Sequence, residues 1–408
     1  MSSSPTSAPK QHRFGTHRVS SPSVTLDRVS AIARSFGITR VANITGLDVI
    51  GIPVVSVVRP NSRSLAVAQG KGVDLIAAKV SGLMESIENY HAENIRKPLR
   101  LESERQIRAQ GGRVIDVDGL PRVAGGIYDS DARFLWVEGH EILGRERAWL
   151  PFEVVHADYV VPLASNSGAF LLSDSGVASG NHVLEATSHA ICELVERDAN
   201  TLWHYRTSAE KASSRIDLDG VDDAACRWAL TRFAAAGVAV GVWEVTSDVG
   251  IPSFLCLIAD HSPDLFRPLG AMFGSGCHPC REVALFRALS EAAQSRLTVI
   301  SGSRDDLGLA VYRRGLDLDE VAKALATTTT SGARPFSSVP TFDGDSIEED
   351  VAWELEQLKS AGIAEVVAVD LTLKEFGIPV VRVVIPGLES MCDAPGFVPG
   401  RRLRTRLT

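Results

Sequence analysis

Two stretches of the chain place carboxylates at matched helical spacing. In "VSGLMESIENYHAEN" (80–94), Ser81, Glu85 and Glu88 follow an i, i+4, i+7 pattern. At about 100° per residue they share one helix face. Val80, Leu83, Met84 and Ile87 fill the rest of that helix with apolar side chains. In the second stretch, around "SHAICELVERDAN", Glu185, His189, Glu193 and Glu196 fall within about 80° of one another on the helical wheel, and Leu184, Ile191, Leu194 and Val195 lie largely opposite. Crowded carboxylates repel unless a cation or base sits among them. Glutamates converging from two helices suit Mg²⁺, a hard cation that prefers oxygen ligands, keeps several waters and binds substrate phosphates. Paired ions in such a site could screen an ATP triphosphate. One acidic stripe alone is also what an ordinary solvated helix face shows. Two matched stripes with apolar backs favour a metal site.

A third helix-like stretch, "CREVALFRALSEAAQSR" (280–296), puts Arg287, Glu291 and Gln294 on one face, with Val283, Leu285 and Leu289 as packing positions. Arg287 is suited to bidentate phosphate contacts or to an ordinary surface ion pair. Lys71, in "QGKG" (69–72), reads as part of a glycine-rich turn before the first helix, either a phosphate-contacting turn or a plain connection. The chain has no G-x-x-x-x-G-K-[ST] loop, no G-x-S-x-G elbow and no kinase signature. "CHPC" (277–280) is a lone C-x-x-C with no second pair to complete a zinc site.

These helices belong to a mixed pattern. Helical periodicity spans 73–95, 183–205, 221–236, 280–299, 318–326 and 346–361, with strand signals near 133–138 and 365–371. Gly-Ile-Pro precedes a β-rich run three times, in "GLDVIGIPVVSVVRP" (46–60), "TSDVGIPSFLCLIAD" (246–260) and "KEFGIPVVRVVIPG" (374–387). Proline suits the first residue of a strand, where no ladder N–H is needed. The fold class is therefore α/β (mixed α+β), in one integrated domain with pseudo-repeated sheet elements. Residues 1–15, rich in Ser and Pro, read as a disordered tail. Residues 16–387 read as the domain and 388–408 as a Pro/Gly/Arg-rich tail, with a long loop near 327–346. The 408 residues are 45% hydrophobic and carry a net charge of −8. That balance argues against nucleic-acid or anionic-membrane binding, each of which needs a basic face. Six scattered cysteines and the lack of any signal-peptide or membrane-spanning run fit a cytoplasmic protein.

Several blocks together resemble the YcaO family: "AVAQGKGVDLIAAKVSGLMESIENYHAE", "SGVASGNHVLEATSHAICELVERDA" and "GSGCHPCREVALFRALSEAAQSRLTVISGSRDDL". "GTHRVSSPSVTLDRV" and "GIPVVRVVIPGLE" fit in the same order, so the resemblance runs from about residue 14 to residue 390. It implies an ATP- and Mg²⁺-dependent enzyme that activates a peptide backbone amide by phosphorylating its oxygen, giving an azoline, a thioamide or an amidine according to the nucleophile. It also implies roles. Glu85, Glu88, Glu185, Glu193 and Glu196 would hold metal. Arg18, Thr25, Lys71, Ser81, Asn181, Arg197, Arg287 and Gln294 would contact the nucleotide. Two features depart from the pattern. Asn89 stands where the family often has Arg, and the C-terminus "GFVPGRRLRTRLT" lacks the Pro-x-Pro-x-Pro end of many azoline-forming members. The third block looks most like the subgroup encoded beside TfuA proteins, which is linked to thioamide formation. The resemblance further implies a peptide or protein substrate, a separate TfuA-like or peptide-recognition partner, and a homodimer. A nucleotide-binding accessory protein without chemistry is the alternative of another class.

Overall fold

The computed structural model describes residues 8–161, 166–262, 269–304 and 306–408. Two three-stranded antiparallel sheets are built alike. One holds β1 (Arg40–Asn43), β2 (Val54–Val58) and β3 (Val67–Lys71), with β2 central. The larger sheet runs β4 (Leu99–Glu102), β5 (Phe134–Glu141), β13 (Val367–Asp370), β14 (Val380–Val384) and β7 (Val177–Ser179), with β6 (Arg147–Pro151) also on β5. A short parallel pair joins β8 (Ile216–Asp217) to β12 (Arg334–Pro335). The second three-stranded sheet holds β9 (Val238–Glu244), β10 (Ser253–Asp260) and β11 (Met272–Cys277), with β10 central.

Around them lie the helices α1 (Pro22–Ile32), α2 (Leu75–Glu93), α3 (Glu104–Ala109), α4 (Val183–His204), α5 (Ser208–Ser213), α6 (Ala224–Ala235), α7 (Arg281–Ser301), α8 (Leu309–Leu316), α9 (Leu318–Thr329), α10 (Ile347–Ser360) and α11 (Arg401–Leu407). Helices α2 and α4 begin where the sequence supplies a cap. Asp74 accepts the Ala77 N–H at 2.7 Å, and the His182 ring accepts that of Leu184 at 3.2 Å. Helix α7 ends at Gly302, in the left-handed region.

The three Gly-Ile-Pro segments do the same job. Each leads directly into a strand with neighbours on both sides: β2, β10 or β14. Gly51, Gly250 and Gly377 all have positive φ, 76°, 79° and 64°, which glycine tolerates without strain. Each proline carbonyl then accepts an N–H from the end of the neighbouring strand: Pro53 from Gly72 (3.3 Å), Pro379 from Gly180 (3.1 Å) and Pro252 from His278 (3.2 Å). Those neighbouring strands, β3, β7 and β11, feed α2, α4 and α7 respectively. The fold thus contains three strand–strand–helix units.

The units close into a ring. Helix α2 packs on β3 and on β7, α4 on β7 and on β11, and α7 on β11 and back on β3. Small residues permit the approach. A Cβ on Gly70 would lie 2.1 Å from the Ala78 carbonyl oxygen, and one on Gly276 would lie 2.1 Å from that of Ala284. This close packing is why "QGKG" is not a free turn: Gln69, Gly70 and Lys71 belong to β3.

Both terminal segments differ from expectation where they are described. Residues 8–15 pack rather than trail. Lys10 reaches Asp350 at 2.8 Å with both side chains wholly buried, and Ala8 sits against Ile347 and Val351. Residues 1–7 of the expected tail lie outside the described residues. At the other end Leu403 is fully buried. Arg402 holds Asp198 through two bonds of 2.9 and 3.0 Å, and Glu389 accepts the Gly400 and Leu403 N–H groups. Composition favoured a tail; a buried leucine and a bidentate ion pair anchor it. The expected loop near 327–346 is shortened by α9, which continues to Thr329, and by β12. No helix among the described residues is long and apolar enough to cross a membrane.

Candidate active site

Every residue singled out as a site candidate lines one cavity of about 830 Å³ at the centre of the ring. Along each of the three helices the cavity-facing residues keep one spacing: Ser81, Glu85 and Glu88 on α2, His189, Glu193 and Glu196 on α4, Arg287, Glu291 and Gln294 on α7.

The middle residue of each trio is tied to its own unit. Glu85 accepts the Gln69 N–H at 3.5 Å, Glu193 that of Gly176 at 2.9 Å, and Glu291 that of Ser275 at 3.2 Å. The third residue of each trio is tied to the next unit. Glu88 accepts both the N–H and the hydroxyl of Ser179, at 2.8 and 2.7 Å. Glu196 accepts the Ser275 hydroxyl at 2.7 Å, and Gln294 donates to the Gln69 carbonyl at 3.2 Å. The ring is closed by the same side chains that face the cavity.

Charge is uneven around it. Glu85 and Glu88 take their hydrogen bonds from neutral groups. Burial pushes Glu85 up to about 7, against the pull of Lys71 and Arg304. Burial likewise pushes Glu88 up to about 8, although the Ser179 bonds act the other way. Burial raises Glu193 and Glu196 too, even with Arg197 between them at 3.1 and 3.0 Å. Glu291 differs. Its carboxyl is desolvated, yet Lys71 at 2.8 Å and Arg197 hold it below the usual range. His189 is pushed well below its ordinary value by burial and by the surrounding cations, so it stays neutral. The cavity is thus carboxylate-rich toward α2 and α4 and cation-rich toward α7, where Lys71 and Arg287 stand.

The remaining candidates form the rim. Thr25 of α1 donates its hydroxyl to the Asn181 side chain at 3.1 Å. Glu185 accepts N–H groups from Val19 (3.0 Å) and Asn181 (3.3 Å) and stands 3.5 Å from the Arg18 guanidinium. Its oxygens are therefore more occupied than those of Glu88. Arg287 donates to the Cys277 carbonyl at 3.0 Å. Asn89 also lines the cavity. Cys280 caps α7 and donates its N–H to His278, so "CHPC" is a structural turn, and the six cysteines are free thiols.

Sequence reading left Glu291, His189, Arg304 and Asp174 out of the site, and all four line the cavity. The shared spacing carried a signal for the first two. Arg304 and Asp174 come from loops, where periodicity is silent.

The donor set fits a divalent cation. Several buried carboxylates, two of which would hold protons near neutrality, face one cavity opposite fixed cations. Such a set is stabilised by hard cations and matches a polyphosphate carried with them.

Comparison with known proteins agrees. Residues 69–389 match the family described as YcaO cyclodehydratase, ATP- and Mg²⁺-binding. The chain is 35% identical over 378 residues to an uncharacterized protein in the tfuA 3′ region of Rhizobium leguminosarum bv. trifolii, covering 91% of this chain and 88% of that one. The fold is similar to that of YcaO from Methanopyrus kandleri bound with AMPPCP and Mg²⁺ (TM-score 0.75, 21% identity, 97% and 99% covered). It is also similar to a heterocyclase in complex with substrate and cofactor (TM-score 0.79, 20% identity), of which this chain, covered over 99%, spans 56%. Matched over residues 69–389, most of its length, this chain belongs to the YcaO family of ATP- and Mg²⁺-binding proteins.

Proposed function

We propose that this chain activates a backbone amide of a peptide or protein by ATP-dependent O-phosphorylation, and that sulfur then replaces the amide oxygen to give a thioamide. The observation that carries the reading is the closed ring. Carboxylates of α2 and α4 face Arg287 of α7 and Lys71 of β3 across one cavity, as phosphoryl transfer requires, since that chemistry is mostly positioning and charge neutralisation. Glu85, Glu88, Glu193 and Glu196 would hold Mg²⁺, with Glu185 beside them. Lys71, Arg197 and Arg287 would face the phosphates, with Ser81, Thr25, Asn181, Gln294 and Arg18 positioning the nucleotide. Arg304 supplies a further cation near Glu85. When bound, Mg²⁺–ATP provides the phosphoryl group that makes an amide oxygen a good leaving group.

One observation favours the thioamide: the likeness to a protein of a tfuA region. A separate partner protein that presents the peptide follows from the same reading.

Purified chain, ATP, Mg²⁺, a sulfide source and the partner and peptide encoded beside it would test this. A product heavier by sulfur minus oxygen is expected. A product lighter by one water would assign the azoline reaction instead. Absence of ATP hydrolysis would favour the accessory reading.

A further inference from the structure

Among the described residues strand β11 pairs with β10 on one side and with no strand on the other. In an antiparallel pair the backbone groups of successive residues point alternately toward and away from the partner. The bond from the His278 N–H back to Pro252 (3.2 Å) sets that alternation. It turns Phe273, Ser275 and Cys277 outward. Two of the three are engaged. The Ser275 N–H goes to Glu291, and the Cys277 carbonyl takes the Arg287 guanidinium. Among the described residues nothing bonds to the outward N–H and carbonyl of Phe273.

Phe273 is also the exposed member of an otherwise buried strand, at 54%. It lines the same cavity as the carboxylates, as do Ala271 and Met272. Natural proteins blunt open strand edges with charge, proline or a bulge. Here the open edge carries an aromatic side chain at a cavity wall, which is how an extended peptide is received. At about 3.3 Å per residue, Phe273 lies roughly 7 Å along the strand from Ser275. The hydroxyl of Ser275 is bonded to Glu196. A chain paired at Phe273 would therefore carry its next amides to the carboxylate ring.

We propose that the outer edge of β11 at Phe273 is the docking strand for the substrate peptide. It binds an extended backbone through that peptide's own N–H and C=O groups. This rests on the reading of the chain as a peptide-amide-activating enzyme and adds where the peptide lies. Backbone pairing leaves the substrate's side chains largely free, so the site tolerates varied sequences.

The test uses full-length protein with hexaglycine as a probe of backbone recognition and hexasarcosine, which lacks N–H groups, as its control. Binding is read by saturation-transfer NMR. Hexaglycine should bind and hexasarcosine should not. Phe273→Pro removes only an outward N–H, which an edge strand tolerates, and should weaken hexaglycine binding at least fivefold. Phe273→Ala keeps the N–H and should stay closer to wild type. Equal binding of the two peptides, no hexaglycine binding by the wild type, or equal binding by Phe273→Pro and wild type would each overturn the proposal. So would a wild-type dimer that Phe273→Pro abolishes, because a second copy would then occupy the edge. The peptide control leaves the protein unaltered and decides the matter even if a variant misfolds. Mg²⁺-dependent AMP-PNP binding by the wild type, measured in parallel, tests the nucleotide reading separately.

Discussion

Glu88 on α2 accepts both the backbone N–H and the hydroxyl of Ser179 on β7, so a cavity carboxylate of one unit is held by the strand of the next. The contact fixes the orientation of Glu88 and supplies two donors that favour its ionised form. It works against burial, which pushes the group up to about 8. Ser179→Ala removes one of the two donors. A hydrogen bond to a charged group contributes about 1.5–3 kcal/mol. Mg²⁺–ATP affinity should fall roughly tenfold or more with the fold intact, as titration calorimetry and circular dichroism would show. Unchanged affinity would remove Glu88 from the metal site.

Glu85→Gln and Glu193→Gln keep shape and lose charge. Each should abolish Mg²⁺-dependent ATP binding. Glu85→Gln should also leave the metal-free protein as stable as wild type or more so, by about 1 kcal/mol, because a desolvated carboxylate with no ion-pair partner among the described residues is removed. Glu193→Gln also takes a charged partner from Arg197, so it should lower the stability of the metal-free protein. Calorimetric binding and thermal melts without metal check the two halves. A loss of both binding and stability in Glu85→Gln would mean that this glutamate holds the fold rather than the ion.

The pH dependence follows from Glu85 at about 7 and Glu88 at about 8, against an ordinary value of 4.5. Both folded values are raised, so between the ordinary and raised values the folded chain binds more protons than the unfolded one. The contribution of these groups to stability is greatest below the ordinary value and falls as pH rises toward about 8. Mg²⁺ competes with those protons. The gain in Tm on adding Mg²⁺ should be larger at about pH 8.5 than at about pH 6. A gain independent of pH would argue against binding at these two carboxylates.

Gly276→Ala tests the ring itself. The added Cβ would meet the Ala284 carbonyl oxygen at 2.1 Å and the Ala288 nitrogen at 2.7 Å, both backbone atoms of α7. Helix α7 must lift from β11, carrying Arg287 and Glu291 with it. Destabilisation of about 3 kcal/mol or more is expected, among the larger effects of a single substitution, and denaturant melts would measure it. Gly46→Ala is a control for space, since nothing lies within 4 Å of its added Cβ and its φ is not in the left-handed region.

Arg402→Ala leaves the wholly buried Asp198 without its bidentate partner. Breaking a buried pair from one side costs about 3–5 kcal/mol. Because Asp198 adjoins Arg197, nucleotide affinity should fall along with stability. Asp198→Asn in the same background should recover part of the stability, a double-mutant cycle that a surface pair would not show.

The site was more legible in the sequence than the fold that closes it. Helical periodicity is local, so the stripes of α2 and α4 declare themselves within a dozen residues. Glu291 stands at the same position in its trio as Glu85 and Glu193, but Arg287 one turn before it makes α7 read as a phosphate-facing helix. Arg304 and Asp174 sit on loops and were invisible. The docking of α11 was hidden as well. Its burial depends on Leu403 and on an ion pair to a residue two hundred positions earlier, which composition cannot report.

The order of the three units along the chain has a consequence for how the protein is made. The first unit (β2, β3, α2) and the third (β10, β11, α7) are each nearly contiguous, but the second takes its lead strand, β14, from Val380–Val384, far beyond its own helix α4. Strand β7 therefore has no partner until most of the polypeptide has left the ribosome. Nascent chains carrying the first stripe of glutamates cannot assemble the cavity and should not sequester nucleotide. Because the β7–β14 pairing joins residues about two hundred positions apart, slow folding and a need for protection of β7 in the meantime are built into the topology.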